Sequence, residues 1–517
     1  MNPLKTIGAI CVTLLFAACS SIKTGSHRND GKIEVVLVQV NDVYEISAIR
    51  NGEAGGLARV ATLKKQYLQA NPNTLLLMAG DFLSPSIYNR MKLQGRAVIG
   101  KQMVEAMNTA GFDLVGFGNH EFDLDEADLQ ERINESNFQW VSSNSFQVKN
   151  GKEQPFQKIS GSSATPIPTY VIRSIKDADG TTARIGFIGI NIPKTKKKYV
   201  AYQNPLSAAT IIYEKIKDSC DAVVAITHQD LDQDIQLAKQ LPKLAAIIGG
   251  HEHDMRFEKV GNVYITKAHS NAVNAYVVRL QIDTRARTAT TPKPELKELD
   301  NKIAFDDATN NVVNKWWSVV DTAYGALGFN YREVLLKEGA PFDARDSVVS
   351  TTQSNFTKLI CAAMADACPD TDATLFNAGS IRVDEMLAPP ITQYTIMRAM
   401  PYGGTIRQAD ITGKLLIQVL EAGKKNSATG GFLQYSSTIT SSNGKWLIHG
   451  KPIDEKQAYK IALNDFLIEG QEQNLGFLNE KNYEVYRLYN KQTSPLNPQS
   501  DIRLAVIKYL ERMNGKL

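Results

Sequence analysis

Cysteine is scarce: the chain has five in 517 residues, and two of them, Cys11 and Cys19, fall within the first nineteen. Cys220, Cys361 and Cys368 remain, an odd number. Cys361 and Cys368 lie seven apart in a helical stretch, about 10 Å along a helix axis. That is too far for a disulfide unless the helix stops between them, and all three read as buried thiols. An excess of charge is also absent. Lys and Arg number 58 against 54 Asp and Glu, a net +4, which is too balanced to imply nucleic-acid binding. The basic run at residues 194–198 reads as a solvated loop. The apolar run at residues 7–16 is too short to span a membrane. Internal repeats and low-complexity tracts are missing, so the length must be filled by ordinary domains. It exceeds one ordinary core, and two domains are expected.

Residues 1–19 read as a secretory signal peptide: Lys5 at the positive end, the apolar run, then the small residues Ala17 and Ala18 before Cys19. Leu15-Phe16-Ala17-Ala18-Cys19 resembles a bacterial lipoprotein box, with Phe16 where Leu is commoner. It implies a lipid on Cys19 and an exported product in the periplasm or outer membrane, in contact with membrane only through that anchor. Residues 20–31 are polar and read as a disordered tether.

Histidine is rare, seven in all, yet four cluster in one kind of context. Apolar runs at residues 35–40, 75–79, 112–117, 222–226 and 244–248 read as short buried strands. Each ends in a polar turn: Asn41-Asp42, Gly80-Asp81, Gly118-Asn119-His120-Glu121-Phe122-Asp123, Thr227-His228, and Gly249-Gly250-His251-Glu252-His253. Taken singly, such a turn is a helix cap or a satisfied histidine. Together they matter, because the carboxyl ends of strands in an open α/β sheet meet in one crevice. Carboxylate, imidazole and carbonyl ligands in one place suit a divalent transition metal, and a shared carboxylate suits two.

On these residues the chain resembles the 5′-nucleotidase family of two-domain, calcineurin-like metallophosphoesterases, over about residues 32–478. The resemblance implies a layered α/β/β/α metallophosphoesterase domain joined by a helix to a smaller α/β nucleotide-recognition domain. It also implies two divalent metal ions, drawn from Zn, Mn, Mg, Co or Fe, and hydrolysis of nucleotides. Asp81 would bridge the metals, Asp42 and His253 hold the first, and Asn119, His228 and His251 the second. His120 would face the phosphate, oriented by Asp123. The family's first motif has His where this chain has Tyr44. A phenol with a pKa near 10 is a poor metal ligand unless deprotonated, and a water or Glu45 is the substitute. Alternatives are a cyclic-nucleotide phosphodiesterase, a nucleotide-sugar hydrolase, or a lipid-anchored nucleotide-binding protein without catalysis.

Residues 32–283 read as the first domain, 284–331 as an exposed connection followed by a helix, and 332–517 as the second domain. The helix spans residues 306–327. Val313, Trp316 or Trp317, Val320, Tyr324 and Leu327 recur at helical spacing, with Thr309 or Asp307 as cap. In the second domain, three stretches resemble the family's nucleotide-recognition segments. These are Asn377-Ala378-Gly379-Ser380-Ile381-Arg382, Met400-Pro401-Tyr402-Gly403-Gly404-Thr405 and Asn464-Asp465-Phe466-Leu467. Tyr402 and Phe466 match the base-stacking pair, and Asn377 and Arg382 match base- and phosphate-side contacts. Glu472 stands where the family has an Asp for the ribose, and Gln471 replaces a Gly. Ser350 stands where an Arg is usual, with Arg345 further off. Oligomeric state is open.

Overall fold

A strand with apolar residues on both faces needs a layer on each side, and that requirement builds the first domain. The computed structural model describes residues 29–515 apart from Asn51 and Gln94. In β1 (Lys32–Val40), Val35 and Leu37 enter one core, and Val36, Val38 and Val40 enter another. β1 pairs in parallel with β2 (Thr74–Ala79), which is followed by β3 (Leu114–Gly116) and β4 (Gln139–Val141). The outer face is covered by α1 (Leu57–Ala70), α2 (Lys101–Ala110) and α3 (Glu126–Glu135). Their Leu57, Val60, Met103, Met107 and Leu129 share the core of Val36 and Val38.

The inner face meets a second sheet. Its strands are β5 (Tyr170–Lys176), β6 (Thr182–Asn191), β7 (Ala222–His228), β8 (Ala246–Gly250), β9 (Arg256–Val260) and β10 (Val263–Lys267). They lie in the order β5-β6-β7-β8-β10-β9. Val224, Ile226 and Ile248 pack onto Val35, Leu37 and Leu77, while Val223, Ala225 and Ile247 turn outward. There they meet α4 (Pro205–Ile216) and α5 (Leu231–Gln240). This is the expected α/β/β/α layering. The parallel strands β2, β3, β7 and β8 end near one another, which brings their turns into one crevice.

The chain returns to the first sheet as β11 (Asn274–Asp283), antiparallel to β1. The stretch expected as an exposed connection contains two further strands, β12 (Thr288–Thr290) and β13 (Glu295–Glu298), both paired with β11. Their side chains are mostly exposed, so backbone pairing defines them and no apolar pattern marks them. α6 (Asp307–Gly325) then packs against α1 and α2. Its cap is Asp306, which accepts from Thr309 N, and not Thr309 or Asp307. Trp316, Val320 and Tyr324 are buried as expected, but Leu327 lies beyond the helix and is exposed.

The second domain carries α7 (Asn355–Ala367), β14 (Ala373–Asn377), α8 (Gln393–Ala399), β15 (Ile406–Thr412), α9 (Gly413–Lys425), β16 (Leu433–Tyr435), β17 (Ala458–Asn464), β18 (Val485–Leu488) and α10 (Ile502–Met513). The sheet order is β16-β14-β17-β15-β18. Leu415, Leu416 and Val419 of α9 cover one face, and Phe356, Ile360 and Ile507 of α7 and α10 cover the other. α7 ends before Cys368, and the cysteines at 220, 361 and 368 are free and buried. The expected signal segment and Cys19 lie outside the described residues. The end of the expected tether, residues 29–31, is pinned to the first domain: Asp30 N donates to Asp179 Oδ2 at 2.8 Å and Gly31 N to Thr181 Oγ1 at 3.3 Å.

Candidate active site

The turns at the ends of β1, β2, β7 and β8 converge as the sequence pattern implies. Asp81, His228 and His251 present donor atoms within 4.8 Å of one another, and so do Asp42, Asp81 and His253. Asp81 belongs to both groups. Asn119 adjoins them, since the next residue, His120, donates its backbone N–H to Asp81 Oδ1 at 2.7 Å. The six expected metal residues therefore surround one small volume.

The backbone is bent to achieve this. Asp42, Asp81, His251 and His253 have φ of 52°, 56°, 101° and 61°, conformations that cost about 1–3 kcal/mol each and persist only where surroundings impose them. Close approach demands glycine: a Cβ on Gly118 would lie 2.1 Å from Asp81 Oδ1, and one on Gly250 would lie 2.8 Å from Asp42 Oδ2.

A second set of residues, none given a role by the sequence pattern, imposes the strained geometry. Glu121 accepts from the backbone N–H groups of Asp81, Phe82, Leu83 and Gly118 at 2.6–3.1 Å. Asn41 donates to Asp42 Oδ2 and to Ala268 O. Asn271 accepts from Tyr44 N through its side chain and donates its own N–H to Asp42 O. The Nζ of buried Lys267 bonds Gly250 O at 2.9 Å and Glu252 Oε2 at 2.7 Å, and it also reaches Gln229 O. One ammonium thus ties the His228 turn to the turn carrying His251 and His253. Asn41 and Glu121 sit inside the motifs; Lys267 and Asn271 lie in stretches with no chemical signature.

The electrostatics fit a cation. Asp42 Oδ1 and Asn119 Oδ1 are buried with no hydrogen-bond partner among the described residues, a costly state for an acceptor unless something positive meets it. Burial opposes charge on Asp81, yet His228 and His120 outweigh burial and hold it well below the usual carboxylate range. Burial likewise opposes charge on His228, but Asp81 and Asp42 prevail and push it up to about 10. Burial, with His228 next, drives His251 down to about 2, which favours the neutral imidazole that ligates metal. His228 Nδ1 lies 2.7 Å from Ala79 O, which aims Nε2 at Asp81 Oδ2, 3.0 Å away. Two carboxylates, one carboxamide oxygen and three imidazoles form a donor set suited to divalent transition metals.

Tyr44 occupies the edge of this volume, with Oη 3.2 Å from Asp81 Oδ2 and 2.8 Å from His253 Nε2. Burial, then Asp81 and Asp42, raise its phenol well above 10, so it stays neutral. Glu45 does not substitute for the missing histidine. It turns to the second domain, where the Tyr394 hydroxyl donates to it. Burial raises its carboxyl to about 7 despite Arg398 nearby.

His120 stands beside the six. Its Nδ1 is 2.6 Å from Asp123 Oδ2, and its Nε2 is 4.0 Å from Asp81 Oδ2. Burial works against its charge, but Asp123 and Asp81 together raise its pKa above the ordinary imidazole value. The second domain reaches the same place: Arg382 Nη2 lies 3.9 Å from Asp123 Oδ2, and its guanidinium stands 5.9 Å from the Tyr402 ring centroid. Tyr44, His253, Arg382 and Arg398 line one cleft between the domains. Arg398, paired with Glu385, carried no motif signal. Arg345 forks onto Asp343, and Ser350 is buried against Asp346 O.

Tyr402 and Phe466 are 39% and 37% exposed. They sit on adjoining turns, since Asp465 Oδ2 accepts from Thr405 N and Oγ1 at 3.0 and 2.8 Å. Asn377 is buried, its amide donating to Glu472 Oε2 at 2.7 Å and its oxygen accepting from Asn464 and Ser380. Asn377 and Glu472 therefore hold each other beneath these turns.

Comparison with known proteins matches both halves of the chain. A family model described as calcineurin-like phosphoesterase matches residues 35–255, and one described as 5′-nucleotidase, C-terminal domain, matches residues 337–479. The protein UshA of Escherichia coli is 24% identical over 91% of this chain and 93% of its own length. The 5′-nucleotidase of Bos taurus is 23% identical over 84% and 83%. A crystal structure of a 5′-nucleotidase precursor from Thermus thermophilus superposes with a TM-score of 0.67 at 20% identity, covering 93% of this chain and 97% of that one.

Proposed function

The chain is a two-domain metallophosphoesterase of the 5′-nucleotidase family, and on that premise we propose that it releases phosphate from nucleoside 5′-monophosphates. The observation that carries this reading is Asp81, common to two ligand groups, with His120, Asp123 and Arg382 gathered on one side. Asp42, Asp81, Asn119, His228, His251 and His253 would hold divalent cations, which would supply Lewis acidity and lower the pKa of an attacking water towards neutrality. His120, its Nδ1 held by Asp123, keeps Nε2 free to stabilise charge on the phosphoryl group and to protonate the departing 5′-oxygen. The bond from phosphorus to that oxygen breaks, and one to the water oxygen forms. Arg382 orients the phosphate end. The exposed faces of Tyr402 and Phe466 stack on the base, which any nucleobase offers.

Stacking is worth roughly 1–3 kcal/mol per base. Phe466→Ala should therefore lower kcat/KM for a nucleoside monophosphate by roughly ten- to a hundredfold. Hydrolysis of p-nitrophenyl phosphate, which has no base, should barely change. Equal loss on both substrates would make the ring ordinary packing and remove the support for nucleotide recognition.

We also infer an exported lipoprotein, from the pattern of Lys5, the apolar run and Cys19. No described helix is long and apolar enough to cross a membrane. Cys19→Ser should shift the protein from the membrane fraction to the soluble fraction; unchanged membrane retention would point to another anchor.

A further inference from the structure

His253 lies on the seam between the domains. Its Nε2 faces the first domain, 2.8 Å from Tyr44 Oη and 3.5 Å from Asp42 Oδ1. Its Nδ1 faces the other way, 3.6 Å from Oδ2 of Asp384, a carboxylate of the second domain. Asp384 is itself held in place, because its Oδ1 accepts from Asp346 N at 2.7 Å. It follows Arg382 by two residues, and both line the cleft that Tyr44 and His253 also line. The contrast with His228 is informative. That ring is steered by Ala79 O, a backbone group of its own domain. Among the described residues, the Nδ1 of His253 has no such contact within its own domain; the group facing it is carried on the other one.

An imidazole that ligates metal nearly always gives its other N–H to a carboxylate or carbonyl, and loss of that partner costs about 10–100-fold in metal affinity. We propose that Asp384 is a positioning residue for His253, through which the second domain sets the affinity of the cation site formed by Asp42, Asp81 and His253. The inference rests on the reading of that site as a metal centre for nucleotide hydrolysis. Binding linkage then runs both ways: whatever draws the domains together tightens this cation, and the cation draws the domains together. The other site lacks this link: His228 is steered by Ala79 O and His251 Nε2 faces Asp230 Oδ1 at 3.5 Å, both groups of the first domain.

Calorimetric titration of the metal-stripped full chain with Mn²⁺, with and without adenosine, tests this. Adenosine occupies the base-stacking face without bringing a phosphate. Because the neutral phenol of Tyr44 stands beside Asp42, Asp81 and His253 where the resembled family has an imidazole, that site should be the weaker of the two, and in the wild type adenosine should tighten it about tenfold and leave the tighter site unmoved. Asp384→Asn keeps the shape and the acceptor for Asp346 N but loses the carboxylate charge. It should bind Mn²⁺ at the weaker site about tenfold less well than the wild type, with the adenosine effect abolished and the melting temperature unchanged. Asp384→Asn titrating like the wild type in both conditions overturns the proposal, as does an equal loss at both sites. If adenosine gives no binding heat with either protein, the nucleotide reading fails instead; if it binds but moves neither Mn²⁺ site, the linkage is overturned; and the difference between the two proteins without adenosine decides the role of Asp384 in either case.

Discussion

Asp81→Ala should abolish hydrolysis and empty both candidate metal sites: kcat/KM should fall by at least about a thousandfold, roughly 4 kcal/mol of transition-state stabilisation. No other residue is asked to do as much. Its Oδ2 lies 3.0 Å from His228 Nε2, and its Oδ1 accepts the N–H of His120 at 2.7 Å. Removing it should therefore take a donor from each candidate metal group and also loosen the turn that carries Asn119 and His120. Because Asp81 sits at φ 56°, Ala adds backbone strain that Asn, which tolerates this region, largely avoids. Asp81→Asn is the control, folded and still deficient in metal. Metal analysis beside steady-state kinetics settles the matter. Two metals retained with near-normal turnover in either variant would remove Asp81 from the bridging position.

His120→Ala should behave differently. The imidazole is held by Asp123 and belongs to neither group of metal-ligand candidates. Its loss should lower kcat by about 10²–10⁴-fold, the usual worth of a positioned acid or base. KM should shift little and metal content should stay at the wild-type level, because the interaction grows in the transition state. Asp123→Asn should lose less in the same direction, since it releases the ring without deleting it. A His120→Ala protein that arrives without metal would make this residue a ligand.

The first domain was legible because its strands are buried on both sides. Val35 and Leu37 face one layer, Val36 and Val38 the other, so the strands read as unbroken apolar runs. Each run stops at a polar turn, and those turns form the candidate site. What escaped detection leaves no such contrast. Residues Thr288–Thr290 and Glu295–Glu298 pair through their backbones with side chains in solvent. Lys267 is 1% exposed inside an ordinary strand, and only the fold shows that its ammonium ties two ligand turns together. Glu45 follows the metal motif closely enough to suggest a ligand, yet a tyrosine from about 350 positions later in the chain claims it. In the second domain the aromatic pair was visible through resemblance alone, since an exposed ring and a core ring look alike in a single sequence.

The span of chain between cooperating groups carries a consequence for how the molecule comes into being. His251 N bonds Asp42 Oδ2 across 209 positions, and Asn41 bonds Ala268 across 227. Contacts this distant in sequence are expected late on the route from coil to native state, because the entropy of closing such loops must be met before they return anything. The candidate metal centre then forms no earlier than the pairing of β11 with β1, which joins residues as distant as Lys32 and Asp283. A chain emerging in extended form offers a cation only scattered ligands, so high affinity begins when both sheets have closed.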